Sequence, residues 1–312
     1  MLITLAGATV PRLAQGAAST PEIVCAAYAR ISRSSRPVHE LRARAAEDLA
    51  GARAFIERIV HHLGHESVAE HAVFNLDLIG VSRLVTEIVE HSRLASYTER
   101  SQRYVRIGGD FLIPREARES GFSAAFRSLA RDQHALYRTA AARMAGSGDS
   151  RAGKEDARYA LGLATTTQLG LTVNARALAS MLERLDGDAL CESRMLAGRI
   201  RTLVSKIAPS LVTEMREEAD VARADCGSVG HPWPGLGSDE PTLLWHTPDP
   251  ARVLRETRAF CAAPTDGRAL IYGVSGQEWN RSLPRAFEAV QLAFHLVMSA
   301  AAFAQLKRHR MA

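Results

Sequence analysis

An α+β fold, built on a mixed or antiparallel sheet flanked by helices, follows from three features of this 312-residue sequence. Phe74, Leu76 and Leu78 alternate with Asn75 and Asp77, the period-two pattern of a strand with one buried face. Elsewhere apolar residues recur at helical spacing over long stretches, which makes helix the larger share by residue count. No Gly-x-Gly-x-x-Gly follows a strand, so a dinucleotide-binding parallel sheet is not indicated.

Residues 38–62 carry an amphipathic pattern with exposed Arg and Glu and close on Gly64, which predicts one helix. After the strand, Ser82 stands as the N-cap of a helical run, Leu84, Val85, Ile88 and Val89. Arg93 to Tyr104 reads as a polar loop whose arginines and hydroxyls can hold a phosphorylated ligand. Gly108, Gly109 and Pro114 mark the next loop, and residues 121–145 form an Ala-, Leu- and Arg-rich helix stopping at Gly146-Ser147-Gly148. Helical stretches over Glu155–Leu169, Val173–Leu185 and Leu190–Ile207 follow, the last ended by Pro209. The Gly-, Pro- and Ser-rich residues 226–247 read as a linker. Beyond it a helix is predicted from Pro248 to Cys261, and Leu283-Pro284-Arg285 lead into a second strand-and-helix unit.

The chain carries 39 Lys and Arg against 34 Asp and Glu, a net charge of +5. Its arginines are dispersed and aromatics are only 6%, which argues against the basic, aromatic-laced stripe of a nucleic-acid binder. No run approaches a membrane span, and the start lacks the basic n-region of a signal peptide. Cys25, Cys191, Cys226 and Cys261 lie far apart without a Cys-x-x-Cys and read as buried thiols of a cytoplasmic protein. His61, His62, His65 and His71 cluster, but no Cys or carboxylate completes a recognisable metal site, and no metal is expected.

Gly64-His65-Glu66-Ser67, Glu70-His71 and Arg93 followed at signature spacing by Ser101-Gln102-Arg103-Tyr104 resemble the flavin-dependent thymidylate synthases. The likeness extends over roughly residues 20 to 215 by pattern. The family's Arg-His-Arg is His91-Ser92-Arg93 here, so the first half of the signature is altered while the second half is kept. The resemblance implies FAD as cofactor and reductive methylation at C5 of a uridine nucleotide, with NADPH and methylenetetrahydrofolate as co-substrates. It places nucleotide binding on Glu99, Arg100, Ser101, Gln102, Arg103 and Arg158, and flavin binding on His71, Arg93, Asn174 and Arg176. Read on their own, Asn174 is equally an N-cap and Arg176 a surface residue. The family's ring-activating Arg falls on Leu185, which leaves the adjacent Arg184 as the catalytic candidate, and its flavin-contacting His or Asn falls on Ser180. Such enzymes need no protein nucleophile, because the flavin carries the hard step.

An intact Arg308-His309-Arg310, preceded by Gln305 at the family's spacing, stands near residue 312. It overlays on the first signature at a constant offset: His91-Ser92-Arg93 on Arg308-His309-Arg310, Ser82 on Ser299, and Ala72-Val73 on Ala289-Val290. A domain-sized period reads as an internal duplication rather than a solenoid. The sequence then divides into a family domain at 1–225, a linker at 226–247 and a partial second repeat at 248–312. By resemblance, family sites are shared within a tetramer, one chain giving Gln and Arg-His-Arg and another the Ser/Arg loop. The two copies here are then complementary: Gln305 and Arg308 reach a nucleotide held by Ser101 and Arg103, and Arg308, His309 and Arg310 serve the flavin. A homo-oligomer, or its two-repeat equivalent, is expected. Two alternatives stay open: a non-catalytic flavin- or nucleotide-binding relative, and an enzyme for another uridine nucleotide.

Overall fold

The computed structural model describes residues 1–11, 19–145, 150–212, 242–253, 290–299 and 302–303. Their contacts group them into two units, one within Met1–Gly227 and one within Ser228–Phe303.

In the first unit, β1 (Leu2–Ala8), β2 (Val73–Ser82), β3 (Ala95–Glu99) and β4 (Thr166–Asn174) form one sheet. The strand order is β1-β2-β4-β3, and every neighbouring pair is antiparallel. Around it lie α1 (Pro21–Ile31), α2 (Val38–Glu47), α3 (Leu49–Glu57), α4 (Arg83–Val89), α5 (Arg115–Glu119), α6 (Ser123–Ala145), α7 (Ser150–Ala157), α8 (Ala175–Asp186) and α9 (Cys191–Ser205). The expected α+β class holds, with the sheet antiparallel.

The alternation in β2 does what its pattern predicts. Phe74, Leu76 and Leu78 are buried with Leu169, Leu171 and Val173 of β4, and Ile23, Val85, Leu178, Met181, Leu196 and Ile200 of the helices join the same core. The outward side chains pair with one another: Asn75 Nδ2 donates to Thr172 Oγ1 at 2.7 Å and Thr4 Oγ1 to Asp77 Oδ2 at 3.0 Å. A packed face and a polar face are the usual state of an antiparallel sheet. Between Ile79 and Val81 the register slips at Gly80, whose φ of +71° suits a residue without Cβ. That bulge changes the phase of the strand, so Val81 and Ser82 turn inward and Ser82 can cap α4 by accepting from Val85 N at 3.2 Å. In α8, Leu178, Met181, Leu182 and Leu185 fall on one buried stripe at helical spacing.

A buried carboxylate ties the helices on the core side. Glu22 is 0% exposed; its Oε2 accepts from Arg53 Nε at 2.6 Å, and its Oε1 accepts from Ser210 N at 2.9 Å and Ser210 Oγ at 2.7 Å. One side chain thus joins α1 to α3 and to the 3-10 turn Pro209–Leu211.

Several elements differ from the sequence reading. The single helix predicted over 38–62 is divided at Asp48, whose side chain caps α3 by accepting from Gly51 N at 2.9 Å, and its last turn, Arg58–His62, is a π-helix. The helix predicted over Glu155–Leu169 ends in a 3-10 turn at Ala160, because the β-branched Thr165-Thr166-Thr167 run enters β4. Part of the predicted polar loop is the edge strand β3, in which only Ala95 is fully buried, so its alternation is weak.

In the second unit, β5 (Thr242–His246) and β6 (Leu292–His295) form an antiparallel pair. The predicted linker 226–247 therefore ends in a strand, and the helix predicted from Pro248 to Cys261 is described only through Val253. Cys226, Leu283, Pro284, Arg285, Gln305, Arg308, His309 and Arg310 lie outside the described residues.

Candidate nucleotide and flavin site

At the end of β3 the chain leaves the sheet and turns back toward α6 and α7. Arg100 N donates to Gln168 O at 2.9 Å, the last rung before the turn. Ser101 organises that turn: its Oγ accepts from Arg103 N at 3.2 Å and its carbonyl from Val105 N at 3.0 Å, with Gln102 half-buried between them. Two contacts then fasten the loop. Lys154 Nζ donates to Tyr104 O at 3.4 Å, and Ile107 N donates to the buried Tyr137 hydroxyl at 3.2 Å.

The loop so held brings Arg103 to Arg158. Glu155 stands between them, with Oε2 3.0 Å from Arg103 Nε and Oε1 3.8 Å from Arg158 Nη2. One carboxylate offsets the repulsion of two guanidinium groups carried by different elements. Arg158 is buried, yet its Nε has no hydrogen-bond acceptor among the described residues. A buried donor without an acceptor is uncommon, and on a cationic fork beside a second guanidinium it suits a tetrahedral oxyanion. Glu99 is engaged differently: its Oε1 accepts from Arg83 Nη1 at 2.7 Å in a nearly buried pair that anchors β3 to the start of α4.

A second group gathers at the junction of β4 and α8. Asn174 caps α8, its Oδ1 accepting from Ala177 N at 2.8 Å, which leaves the amide nitrogen as its donor. Arg176 reaches the 3-10 turn Glu66–His71, with Nε 3.3 Å from Glu66 Oε2 and Nη1 2.6 Å from Glu70 Oε1. The Glu70 hydrogen bond holds this guanidinium above its already high ordinary pKa. His71 sets its ring edge-on to Tyr28 with centroids 4.7 Å apart. Beside it opens a cleft of about 520 Å³ lined by Tyr28, Arg30, Arg33, Arg44, His65 and Ser67 among others. Arg93 is exposed just beyond α4.

Arg184 and Ser92 form a third contact. Tyr97 Oη donates to Val89 O and Ser92 O at 2.9 Å, clamping the end of α4 onto β3. Arg184 Nη2 donates to Ser92 Oγ, so the Arg184 side chain is tied to the residue that replaces the signature His. Leu185 faces the core and is 0% exposed. Sequence reasoning did not single out Arg83, or Glu66 and Glu70 as the acids holding Arg176. It also passed over Glu155 as the acid between two arginines, although its i,i+3 spacing to Arg158 on a helical stretch was a usable signal.

The family described as thymidylate synthase complementing protein matches residues 15–210. This chain belongs to that family. A flavin-dependent thymidylate synthase of Geobacter sulfurreducens is 34% identical over 202 residues, spanning 61% of this chain and 80% of that protein. One from Clostridium tetani is 31% identical over 205 residues, with the same coverage of 61% and 80%. Among solved structures, a UMP/dUMP methylase from Streptomyces cacaoi, bound with 5-Br dUMP, superposes with a TM-score of 0.51 at 21% identity. It covers 67% of this chain and 92% of that one, which shows the shared fold. The matched span of the thymidylate synthase family holds the whole four-stranded sheet except β1, and every site residue described above. Among the described residues, no group of His, Cys, Asp and Glu side chains is arranged to hold a metal ion, and no helix is long and apolar enough to cross a membrane.

Proposed function

We propose that this chain is an FAD-dependent enzyme that methylates C5 of deoxyuridylate, with NADPH as reductant and methylenetetrahydrofolate as carbon donor. Family membership supports the reaction class. The convergence of Arg103 and Arg158 on Glu155 beside the Ser101 turn supports the substrate assignment, because two guanidinium groups brought together next to a hydroxyl suit a nucleotide phosphate. Arg103 and Arg158 would hold the phosphate through their remaining N–H donors, and Ser101 with the loop amides would fix its orientation.

The donor set near the β4–α8 junction fits a flavin dinucleotide. Asn174 has a free amide donor, Arg93 and Arg176 are cationic and open to solvent, and the cleft beside Tyr28 is lined by arginines. His71, Asn174, Arg176 and Arg93 are the residues that would hold it. When bound, the flavin would supply the electrons that complete the transferred carbon as a methyl group. No protein thiol is needed, and Cys25 could not serve as one: burial, and then the nearby Glu22 charge, push its thiol up to about 12.

Gln305, Arg308, His309 and Arg310 complete the reading as the second copy's contribution, in a homo-oligomer or its two-repeat equivalent within the cytoplasm. A non-catalytic, ligand-binding relative is the second reading. It is favoured by Leu185 in the core and Arg184 tied to Ser92, which leaves the family's ring-activating position without a free cation. An absorbance spectrum of the purified chain, taken anaerobically before and after NADPH, separates the two. A flavin spectrum that bleaches, followed by thymidylate formation from deoxyuridylate and methylenetetrahydrofolate, supports the enzyme. A flavin that stays oxidised, or a protein that takes up none, overturns it.

A further inference from the structure

We infer that the second unit opens a second copy of the first unit's sheet, and that the outer edge of β6 is a docking site for an antiparallel strand of β4 chemistry. The two ladders match rung for rung. In the first, Thr4, Leu5, Gly7 and Ala8 pair with Asp77, Leu76, Asn75 and Phe74. In the second, Thr242, Leu243, Trp245 and His246 pair with His295, Phe294, Ala293 and Leu292. Each ladder slips once, and at the same rung: Ala6 is passed over in β1 and Leu244 in β5.

The rung that follows is closed by the same device. Thr9 N donates to Val73 O at 2.8 Å while Val73 N donates to Thr9 Oγ1 at 2.9 Å. Thr247 N donates to Gln291 O at 2.9 Å while Gln291 N donates to Thr247 Oγ1 at 2.8 Å. At the far end, Ser82 Oγ accepts from Val85 N at 3.2 Å and Ser299 Oγ from Ala302 N at 3.1 Å. Any antiparallel pair shares backbone geometry. A common bulge, threonine lock and serine cap at matching positions are features of one particular hairpin.

This alignment corrects the constant offset read from the sequence. Val73 falls on Gln291 rather than on Val290, and Gly80, the bulge residue of β2, has no counterpart, so Ser82 still falls on Ser299. The repeat includes Thr242, inside the stretch that reads as linker.

Phe74, Leu76 and Leu78 then fall on Leu292, Phe294 and Leu296. The first three are 0%, 1% and 0% exposed; the second three are 54%, 51% and 37% exposed. In the first unit the outer edge of β2 is taken by β4, from Val73 opposite Asn174 to Ser82 opposite Thr166. Among the described residues, β6 pairs with β5 alone. An edge strand with large exposed apolar side chains in alternation is a template for strand addition. The first unit shows what completes it: a strand with apolar residues at alternate positions, as Leu169, Leu171 and Val173 are, and small or polar ones between, leading into an amphipathic helix. The partner is a polypeptide segment of that family type.

The test uses the full chain and a synthetic peptide of its own residues 163–187, which carry β4 and α8. Hydrogen exchange read by mass spectrometry should slow roughly tenfold or more over residues 291–299 when the peptide is added. A peptide with Leu171→Pro, or a full chain with Phe294→Asp, should show no slowing. Unchanged exchange with the wild-type peptide overturns the proposal, as does equal slowing by the proline peptide. Protection already present in the free chain and rising with its concentration also overturns it, since a second copy of β6 would then be the occupant. Flavin and nucleotide do not enter the measurement, so its result stands apart from the proposed activity.

Discussion

Replacing Arg103 with Gln keeps a polar side chain and removes its charge, which isolates what that charge does. In the free protein the loss is small. Arg103 and Glu155 are each 32% exposed, so solvent screening leaves their pair about 0.5 kcal/mol of stability. In the nucleotide complex the loss is larger, because a charge-assisted hydrogen bond to phosphate contributes about 1.5–3 kcal/mol. That converts to a deoxyuridylate affinity weaker by roughly 10- to 150-fold. Glu155, no longer flanked by Arg103, would face the phosphate with only Arg158 to offset it, which favours the upper part of the range. Titration calorimetry with deoxyuridylate and with deoxyuridine, which lacks the phosphate, makes the test specific. The variant should lose the nucleotide and keep its weak affinity for the nucleoside. Affinity for deoxyuridylate within about twofold of wild type, or an equal loss for both ligands, would refute a phosphate site at Arg103.

The other predictions probe the remaining links. Arg308→Glu should weaken deoxyuridylate binding about as much as the Arg103 change; wild-type binding would dismiss the complementary-copy site. Glu22→Ala leaves the Ser210 amide without its acceptor and Arg53 without its partner, and should lower unfolding free energy by about 1–3 kcal/mol in urea. A midpoint near wild type would mean the carboxylate does not tie the helices. Ser92→Ala removes the acceptor of Arg184 and should cost about 1–3 kcal/mol by the same assay. No change would mean that Arg184 is not held there. Cys25 keeps its proton in the folded protein up to about 12 but ionises near 9.0 when unfolded. The folded state therefore binds the extra proton between those values, and the stabilisation, complete below pH 9, is lost as pH rises toward 12. Cys25→Ala should show a shallower alkaline decline than wild type, and superimposable slopes would exclude this contribution.

How far the sequence carried the fold depended on whether an element's signal was local. Alternation exposed β2, whose buried and polar faces are sharply divided, and the apolar stripe exposed α8. β1 and β3 lie at the two edges of the sheet, where a strand needs no strict alternation, and both stayed hidden. The Glu155–Leu169 misreading has the same origin: Ala-rich and Leu-rich residues favour helix until the threonine run, and pairing with β2 and β3 overrides propensity from Thr166 onward. In the site, residue types were readable and partners were not. The Arg103 loop and Arg158 were each recognisable from motif spacing, whereas their meeting on Glu155 depends on α7 packing beside the loop, a long-range fact. Ser92 looked like a loss from the signature; the structure gives it a new task, accepting from Arg184.

The inferred duplication shows the limit most clearly. Between the two strand pairs few core identities are shared: Phe74, Leu76 and Leu78 stand against Leu292, Phe294 and Leu296, a set that any apolar strand satisfies. A backbone ladder asks nothing of side-chain identity. The residues that must persist are those whose side chains bond the backbone, a threonine that accepts from its partner's amide and a serine that caps the next helix. Thr9 with Thr247 and Ser82 with Ser299 are identities of that kind. The chain between the threonine and its partner strand is shorter in the second unit, so no single offset aligns both. The hydrogen bonds at Thr247 and the ladder to His295 set the strand register that any partner of β6 must meet.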